Sequence, residues 1–144
     1  MNFAKRGLMW LKHYIFSNTL HGTHSPFVYS FLENIVYQPN LKGVNKYDQL
    51  YQRIIASREI GKVIVFDAKM SSEEILLTYN TEKLKTDEQS IFIFKEIRNT
   101  DSIFETWKNI TLDPKNNISI DFFECGILFF DQKKPKEHFN IYYK

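Results

Sequence analysis

The sequence has few glycines and a single cysteine, and the glycines are scattered. They are Gly7, Gly22, Gly43, Gly61 and Gly126, and no two of them fall within one turn. This spacing argues against an enzyme that holds a nucleotide cofactor in a glycine-rich loop. Cys125 is the only cysteine, so no intrachain disulfide can form, and one thiol fits a reducing compartment. We therefore expect a cytoplasmic protein.

The sequence also lacks long apolar runs and a strong charge imbalance. No stretch approaches the roughly 18 to 20 consecutive apolar residues of a membrane span, and no signal-peptide pattern follows Lys5 and Arg6. The net charge is +2, which is too small to indicate a nucleic-acid partner. The cations are unevenly placed, however, because residues 1–26 contain Lys5, Arg6 and Lys12 and no acid.

Residues 1–60 have the apolar spacing of helices. Over residues 3–20, one face carries Ala4, Leu8, Leu11 and Ile15, which predicts an amphipathic helix. Such a helix can dock on the body of the protein, lie on a membrane surface or meet a partner, and docking is the commonest outcome.

Two further helices begin at recognisable capping residues. Ser25 followed by Pro26 predicts a helix start, because serine can accept from free amide groups and proline suits the first helical position. Asn45 can cap a third helix, which we expect Gly61 to end.

Residues 61–144 alternate between short strands and helices, and the aromatic content of 16% predicts an aromatic-rich core. Strands are predicted at 62–67, 90–94, 118–123 and 126–131. Helices are predicted to begin at Ser71, in a capping box with Glu74, and at Thr100 or Asp101.

Only Glu124 and Cys125 separate the last two predicted strands, which indicates a β-hairpin. We therefore predict one α/β domain over residues 1–144, with a helical region at 1–60 and an α/β region at 61–144. Its mixed sheet should have about four strands, end in an antiparallel hairpin and be covered by helices.

Two segments carry a family resemblance. The first runs from His21 to Tyr29 and reads HGTHSPFVY. The second, from about Ser90 to Tyr142, contains SIFIFKEI, WKNI, ISIDFFECGILFF and KEHFNIYY. Both resemble a family of bacterial class I S-adenosylmethionine-dependent methyltransferases, mainly from Bacteroidetes. The resemblance implies a Rossmann-like sheet that ends in the hairpin typical of these enzymes.

The chain departs from this family where the cofactor should bind. The resemblance implies a glycine-rich turn and a strand-end acid that holds the cofactor ribose, yet the nearest turn reads Ala68-Lys69-Met70-Ser71. Lys95 and Glu96 stand where the family has an acidic pair. About four strands instead of about seven imply that the first half of the sheet is missing. Asp67, at the end of the first strand, is the one weak candidate for cofactor binding.

Other chemically capable residues have simpler interpretations. His21 and His24 have ligand spacing, but they fall in a turn and lack a third ligand, so local hydrogen bonding is favoured over a metal site. Glu74 is explained by capping, and with Glu73 and Asp67 it makes a poor acid/base cluster. Cys125 has no neighbouring base, so we predict no nucleophilic role. His138 is expected to pack against or cap the last turn.

These observations favour a non-catalytic methyltransferase-like protein, a pseudoenzyme that binds or scaffolds other proteins. Loss of half the sheet would expose a formerly central strand as an edge, so we expect a homo-oligomer or a protein partner there. One alternative is an S-adenosylmethionine-dependent methyltransferase with an unusual or subunit-shared cofactor site. A second is a membrane-surface or RNA-associated module that uses the basic N-terminal helix.

Overall fold

The computed structural model describes residues 1–18, 23–57 and 61–143. Its helices are α1 (Phe3–Phe16), α2 (Pro26–Phe31, continued by a π-helical turn at Leu32–Val36), α3 (Lys46–Ala56), α4 (Ser72–Glu82, followed by a 3₁₀ turn at Lys83–Lys85) and α5 (Asp101–Thr111). Its strands are β1 (Val63–Phe66), β2 (Ile91–Phe94), β3 (Ile118–Asp121), β4 (Gly126–Phe129) and β5 (Glu137–Asn140). The predicted α/β class is therefore confirmed.

The strands form one mixed sheet in the order β1-β2-β4-β3-β5. β1 is parallel to β2 with Val63 opposite Ile91, and β3 is parallel to β5 with Ile118 opposite Glu137. β4 lies between β2 and β3 and is antiparallel to both. β1, β2, β3 and β5 therefore point the same way, so their carboxyl ends lie on the same side of the sheet.

Helices cover both faces of this sheet, which gives three layers and two apolar cores. On one face, the isoleucines of β2, β3 and β4 pack with Leu50 and Ile54 of α3 and with Val28 and Leu32 of the α2 segment. On the other face, Phe92 and Phe94 pack with Tyr79 of α4 and Trp107 of α5. β2 is buried along its whole length, as its continuous apolar run predicts.

The helices begin at the capping residues that the sequence predicts. Ser25, Asn45, Ser71 and Thr100 are N-caps, and each side chain accepts a hydrogen bond from the backbone two or three residues on. α3 ends at Ala56, before the predicted end at Gly61; residues 58–60 lie outside the described part of the chain.

The prediction of about four strands is wrong, because the sheet has a fifth strand, β5. Its sequence Glu137-His-Phe-Asn140 is short and polar, and only Phe139 is buried, since β5 lies at the edge of the sheet. The antiparallel hairpin is confirmed, but it is not terminal because β5 follows it. Its loop spans Phe122 to Cys125, four residues where two are expected.

The first helix forms as predicted, but its polar face packs on the body of the protein and its apolar face is exposed. α1 ends at Phe16, before the predicted end at residue 20, and Asn18 then forms a parallel bridge to Ile141. His13 is the one buried residue of α1, whereas Leu8, Leu11 and Ile15 are exposed. The apolar face therefore points away from the body. Among the described residues, no helix is long and apolar enough to cross a bilayer.

Candidate functional site

β1, β2, β3 and β5 all end on the same side of the sheet, which we call its carboxyl end. Open α/β proteins usually bind ligands there. The segments that follow these strand ends are the turn after β1, the loop from Lys95 to Arg98, and the hairpin loop from Phe122 to Cys125. We define the candidate site as this carboxyl end of the sheet together with the parts of α1 and α3 that cover it.

A buried ion pair lies at the centre of the site. Arg98 donates to both carboxylate oxygens of Asp121, each at 2.8 Å, and the two side chains are 6% and 4% exposed. The guanidinium also lies between the rings of Phe104 and Phe123, 4.5 Å from each centroid. Such bidentate, stacked geometry is specific to arginine. Asp121 is thus fully committed to a structural contact.

The same pair fixes the backbone of the hairpin loop. Phe123 has φ +75°, a left-handed conformation that costs free energy for a residue with a side chain. Asp121 Oδ1 accepts from the Phe123 amide at 2.7 Å, and Arg98 Nη1 donates to the Phe123 carbonyl at 2.7 Å. The ion pair therefore holds the loop in a conformation that it would not adopt alone.

α1 docks on this loop through its polar face. Arg6 contacts both carboxylate oxygens of Glu124 at 2.5 Å and donates to the Arg98 carbonyl at 2.9 Å. His13 Nε2 lies 3.0 Å from the Ile141 carbonyl, and its ring packs edge-on against Phe123. Lys5 hydrogen-bonds Asp101, which lowers the pKa of that carboxyl. The N-terminal helix thus covers much of the carboxyl end of the sheet, where a ligand would bind.

A cleft remains open beside α1, at the ends of β1 and β2. It has a volume of about 300 Å³, and its lining includes Tyr47, Asp48, Tyr51, Ala68, Lys95 and Glu96. A neighbouring cavity of about 260 Å³ shares Tyr47 and Glu124 with it and extends under α1 to Trp10 and His13. We call the first cavity the carboxyl-end cleft. It lies beside the turn that follows β1, because Ala68 belongs to that turn.

Two phenols of the cleft, Tyr47 and Tyr51, and the thiol of Cys125 buried beside them are held in their protonated forms. Burial, together with the neighbouring Cys125 thiol, raises the pKa of Tyr47 and of Tyr51 far above the usual range of a phenol. Burial also raises the pKa of Cys125, whose side chain is fully buried. The Lys95 ammonium lies over the Tyr51 ring, 5.1 Å from its centroid. At neutral pH the two phenols and the thiol therefore keep their protons.

The residues singled out from the sequence lie apart from one another. Asp67 follows β1 as expected, but it is exposed, and its carboxylate accepts from the Lys69 amide at 3.1 Å. Glu73 and Glu74 are exposed in the first turn of α4, and the Glu74 amide donates to Ser71. They do not form an acidic cluster with Asp67.

The histidines give no metal site among the described residues. His21 lies outside those residues, and no group of three potential ligands occurs within them. The interpretation of His138 is corrected: it lies in β5 instead of capping a turn, with Nδ1 2.6 Å from Ser119 Oγ. Although His138 is exposed at the edge strand, partial desolvation of its ring lowers its pKa.

Sequence reasoning missed Arg98, Asp121, Arg6 and His13, which dominate the site. One signal was present, because Asp121 interrupts the apolar run ISIDFF, and a carboxylate in a buried strand requires a partner. No comparable signal identifies Arg98 as that partner. Lys95 and Glu96, which the sequence also singled out, do line the cleft.

Comparison of the chain with protein-family models, with curated proteins and with solved structures found no match.

Proposed function

We propose that the chain is a non-catalytic, methyltransferase-like protein that acts by binding another protein chain. The proposal rests on one observation: the protein's own side chains occupy the carboxyl end of the sheet. Arg6 is paired with Glu124 and Arg98 with Asp121, so the charges nearest the loop are committed to one another. A hairpin with one antiparallel strand also fits the family that the sequence resembles.

The binding surface in this proposal is the outer edge of β1, which pairs with no strand other than β2 among the described residues. The carbonyls of Lys62 and Phe66 accept from Ile91 and Lys95 at 2.8 and 3.0 Å. The alternation of a parallel ladder therefore turns the backbone groups of Val63 and Val65 towards the outer edge. The side chain of Val65 is 38% exposed. An edge strand of this kind is a template for strand pairing, and a second copy is the simplest occupant.

Light scattering after size exclusion tests the second copy. We expect a dimer above micromolar concentration and a monomer for Val65→Lys, because a charge on an edge strand opposes strand pairing. Val65→Thr is the matched control and should remain a dimer, since threonine is a good strand former. A wild-type protein that is monomeric throughout would contradict pairing at β1.

A separate experiment tests the absence of catalysis. Titration with S-adenosylmethionine and S-adenosylhomocysteine should leave the midpoint of thermal unfolding unchanged. The reason is that the turn after β1 carries side chains where a cofactor-binding turn needs glycine. A midpoint that rises with ligand concentration would contradict the proposal.

The open carboxyl-end cleft favours the second candidate, a methyltransferase with an unusual cofactor site. In that case Glu96→Gln and Asp48→Asn, two changes to exposed acids of the cleft, should weaken the ligand-induced stabilisation. Glu73→Gln, on α4, is the control that should not.

A further inference from the structure

The exposed face of α1 is the largest feature that the proposed function leaves unexplained. Leu8, Leu11 and Ile15 form a stripe along it and are 69%, 47% and 60% exposed. We call these three residues the α1 stripe. Contiguous exposed apolar residues on a protein surface mark a site of interaction with a membrane or another protein.

The orientation of the stripe is fixed by the opposite face of the helix. Arg6 and His13 are seven residues apart, and both contact the body through hydrogen bonds to backbone carbonyls. Arg6 also pairs with Glu124. Rotating the helix to bury the α1 stripe would break all of these contacts. The protein therefore holds an amphipathic helix with its apolar side outwards.

The surroundings of the stripe have the character of a membrane interface. Phe3 and Phe16, at the two ends of α1, are 92% and 72% exposed. Trp10 stacks on Tyr14 with centroids 5.4 Å apart, and both rings are partly exposed. Aromatic residues of this kind concentrate at the headgroup level of bilayers. Exposed apolar side chains therefore extend from the α1 stripe to both ends of the helix and along the flank that carries Trp10 and Tyr14.

The charges on α1 favour an anionic bilayer over RNA. α1 contains no acidic residue, and Lys12 lies one helical turn from both Leu8 and Ile15. Lys5 and Arg6 are paired with Asp101 and Glu124, so Lys12 is the one cationic side chain of α1 without an acidic partner among the described residues. One free cation is too few to follow an RNA backbone, but it adds attraction to an anionic surface beside apolar insertion.

We propose that α1 anchors the protein on the surface of anionic membranes, with the α1 stripe inserted among the lipids. A helix of 14 residues is about 21 Å long, shorter than the roughly 30 Å hydrocarbon core. The helix therefore lies in the plane of the interface. This inference does not depend on pairing at β1 or on the state of the cofactor site.

Vesicle co-sedimentation of the full chain tests the proposal. The protein should bind vesicles of phosphatidylcholine mixed with phosphatidylserine more tightly than pure phosphatidylcholine, and added salt should weaken the binding. Trp10 emission should shift to shorter wavelength on binding. Trp107 is 2% exposed and supplies a constant background.

Substitutions in the stripe make the test specific. Leu8→Gln with Leu11→Gln should weaken binding at least about tenfold, because two side chains no longer insert. Lys12→Gln should weaken it about fivefold, through loss of one charge at the surface. Leu77→Gln with Leu84→Gln is the matched control, since these leucines are 70% and 77% exposed on α4 and its 3₁₀ turn, and binding should be unchanged.

Three results would overturn the proposal. One is the absence of binding to either kind of vesicle, with circular dichroism showing a folded protein. Another is equal binding by the wild type and the Leu8/Leu11 double variant. The third is a dimer that dissociates in that double variant while β1 variants leave it intact, which would make the α1 stripe a protein interface.

Discussion

Arg98 donates two parallel hydrogen bonds to Asp121, and this buried pair supports the loop on which α1 rests. The Asp121 carboxylate also accepts from the Phe123 amide, and Arg98 donates to the Phe123 carbonyl. Phe123 in turn contacts the His13 ring and lies beneath the Arg6 guanidinium. The position of the N-terminal helix therefore depends on an ion pair that lies at the ends of two strands.

Removing one member of this pair should strongly destabilise the fold. Arg98→Met leaves Asp121 as a buried charge without its bidentate partner, and we expect a loss of about 3 to 5 kcal/mol in the free energy of unfolding. Urea unfolding measures it. Glu105→Gln, which breaks the exposed Glu105–Lys108 pair of α5, is the control and should change the value by less than about 0.5 kcal/mol. A loss for Arg98→Met as small as that of the control would contradict the structural role.

Gly126 should tolerate no side chain, because α5 packs directly on it. A Cβ at this position would lie 2.3 to 2.6 Å from atoms of the Trp107 ring, closer than real contacts allow. Gly126→Ala should therefore destabilise the protein by about 1 to 3 kcal/mol.

The matched control for this prediction is Gly7→Ala. Gly7 lies in α1, and a Cβ added there would meet no atom within 4 Å, so alanine should stabilise the helix by about 0.5 to 1 kcal/mol. Thermal unfolding of both variants gives the comparison. Equal effects of the two substitutions would show that Trp107 does not pack on Gly126.

The four helix caps illustrate what the sequence could predict. Ser25, Asn45, Ser71 and Thr100 bond to backbone amides two or three residues away, so the signal is local. The buried strand β2 was predictable for a similar reason, since its four apolar residues are consecutive.

Which face of α1 packs on the body could not be predicted, because it depends on contacts between residues that are distant in sequence. Arg6 meets Glu124 across 118 positions and His13 meets Ile141 across 128. The apolar spacing correctly predicts a helix, but the usual rule that such a face is buried is reversed here. β5 was missed because strand pairing with β3 supplies the stability that its polar sequence does not indicate.

Stability should fall at alkaline pH through Tyr37, which is partly buried. Burial raises the pKa of Tyr37 to about 12, from an ordinary value near 10, and its hydroxyl donates to the Tyr142 carbonyl at 2.8 Å. Above pH 10 the unfolded chain loses the phenolic proton while the folded chain keeps it, so the unfolded state is favoured as pH rises from 10 to about 12. Below pH 10 this residue contributes no pH dependence.

Urea unfolding across this range checks the direction, with Tyr37→Phe and Tyr14→Phe compared. Tyr37→Phe should reduce the alkaline slope, whereas Tyr14→Phe, a change to a half-exposed residue, should leave it intact. An identical slope in wild type and Tyr37→Phe would contradict the assignment to Tyr37.

The contacts of Arg6 should hold α1 on the body without being essential to the cores. Arg6 and Glu124 are each about one-third exposed, and neither belongs to the two apolar clusters. Arg6→Gln should therefore lower global stability by only about 1 kcal/mol or less, while amide exchange in residues 3–16 becomes faster.

Hydrogen exchange by mass spectrometry separates these effects, with Lys12→Gln as the control on the outer face. Lys12 has no acidic partner among the described residues, so its substitution should leave exchange in α1 unchanged. If Arg6→Gln instead accelerated exchange in β2 and β3 as much as in α1, the helix would be part of the cooperative core. Faster exchange confined to α1 would show that the polar contacts hold the helix, and hence the α1 stripe, in place.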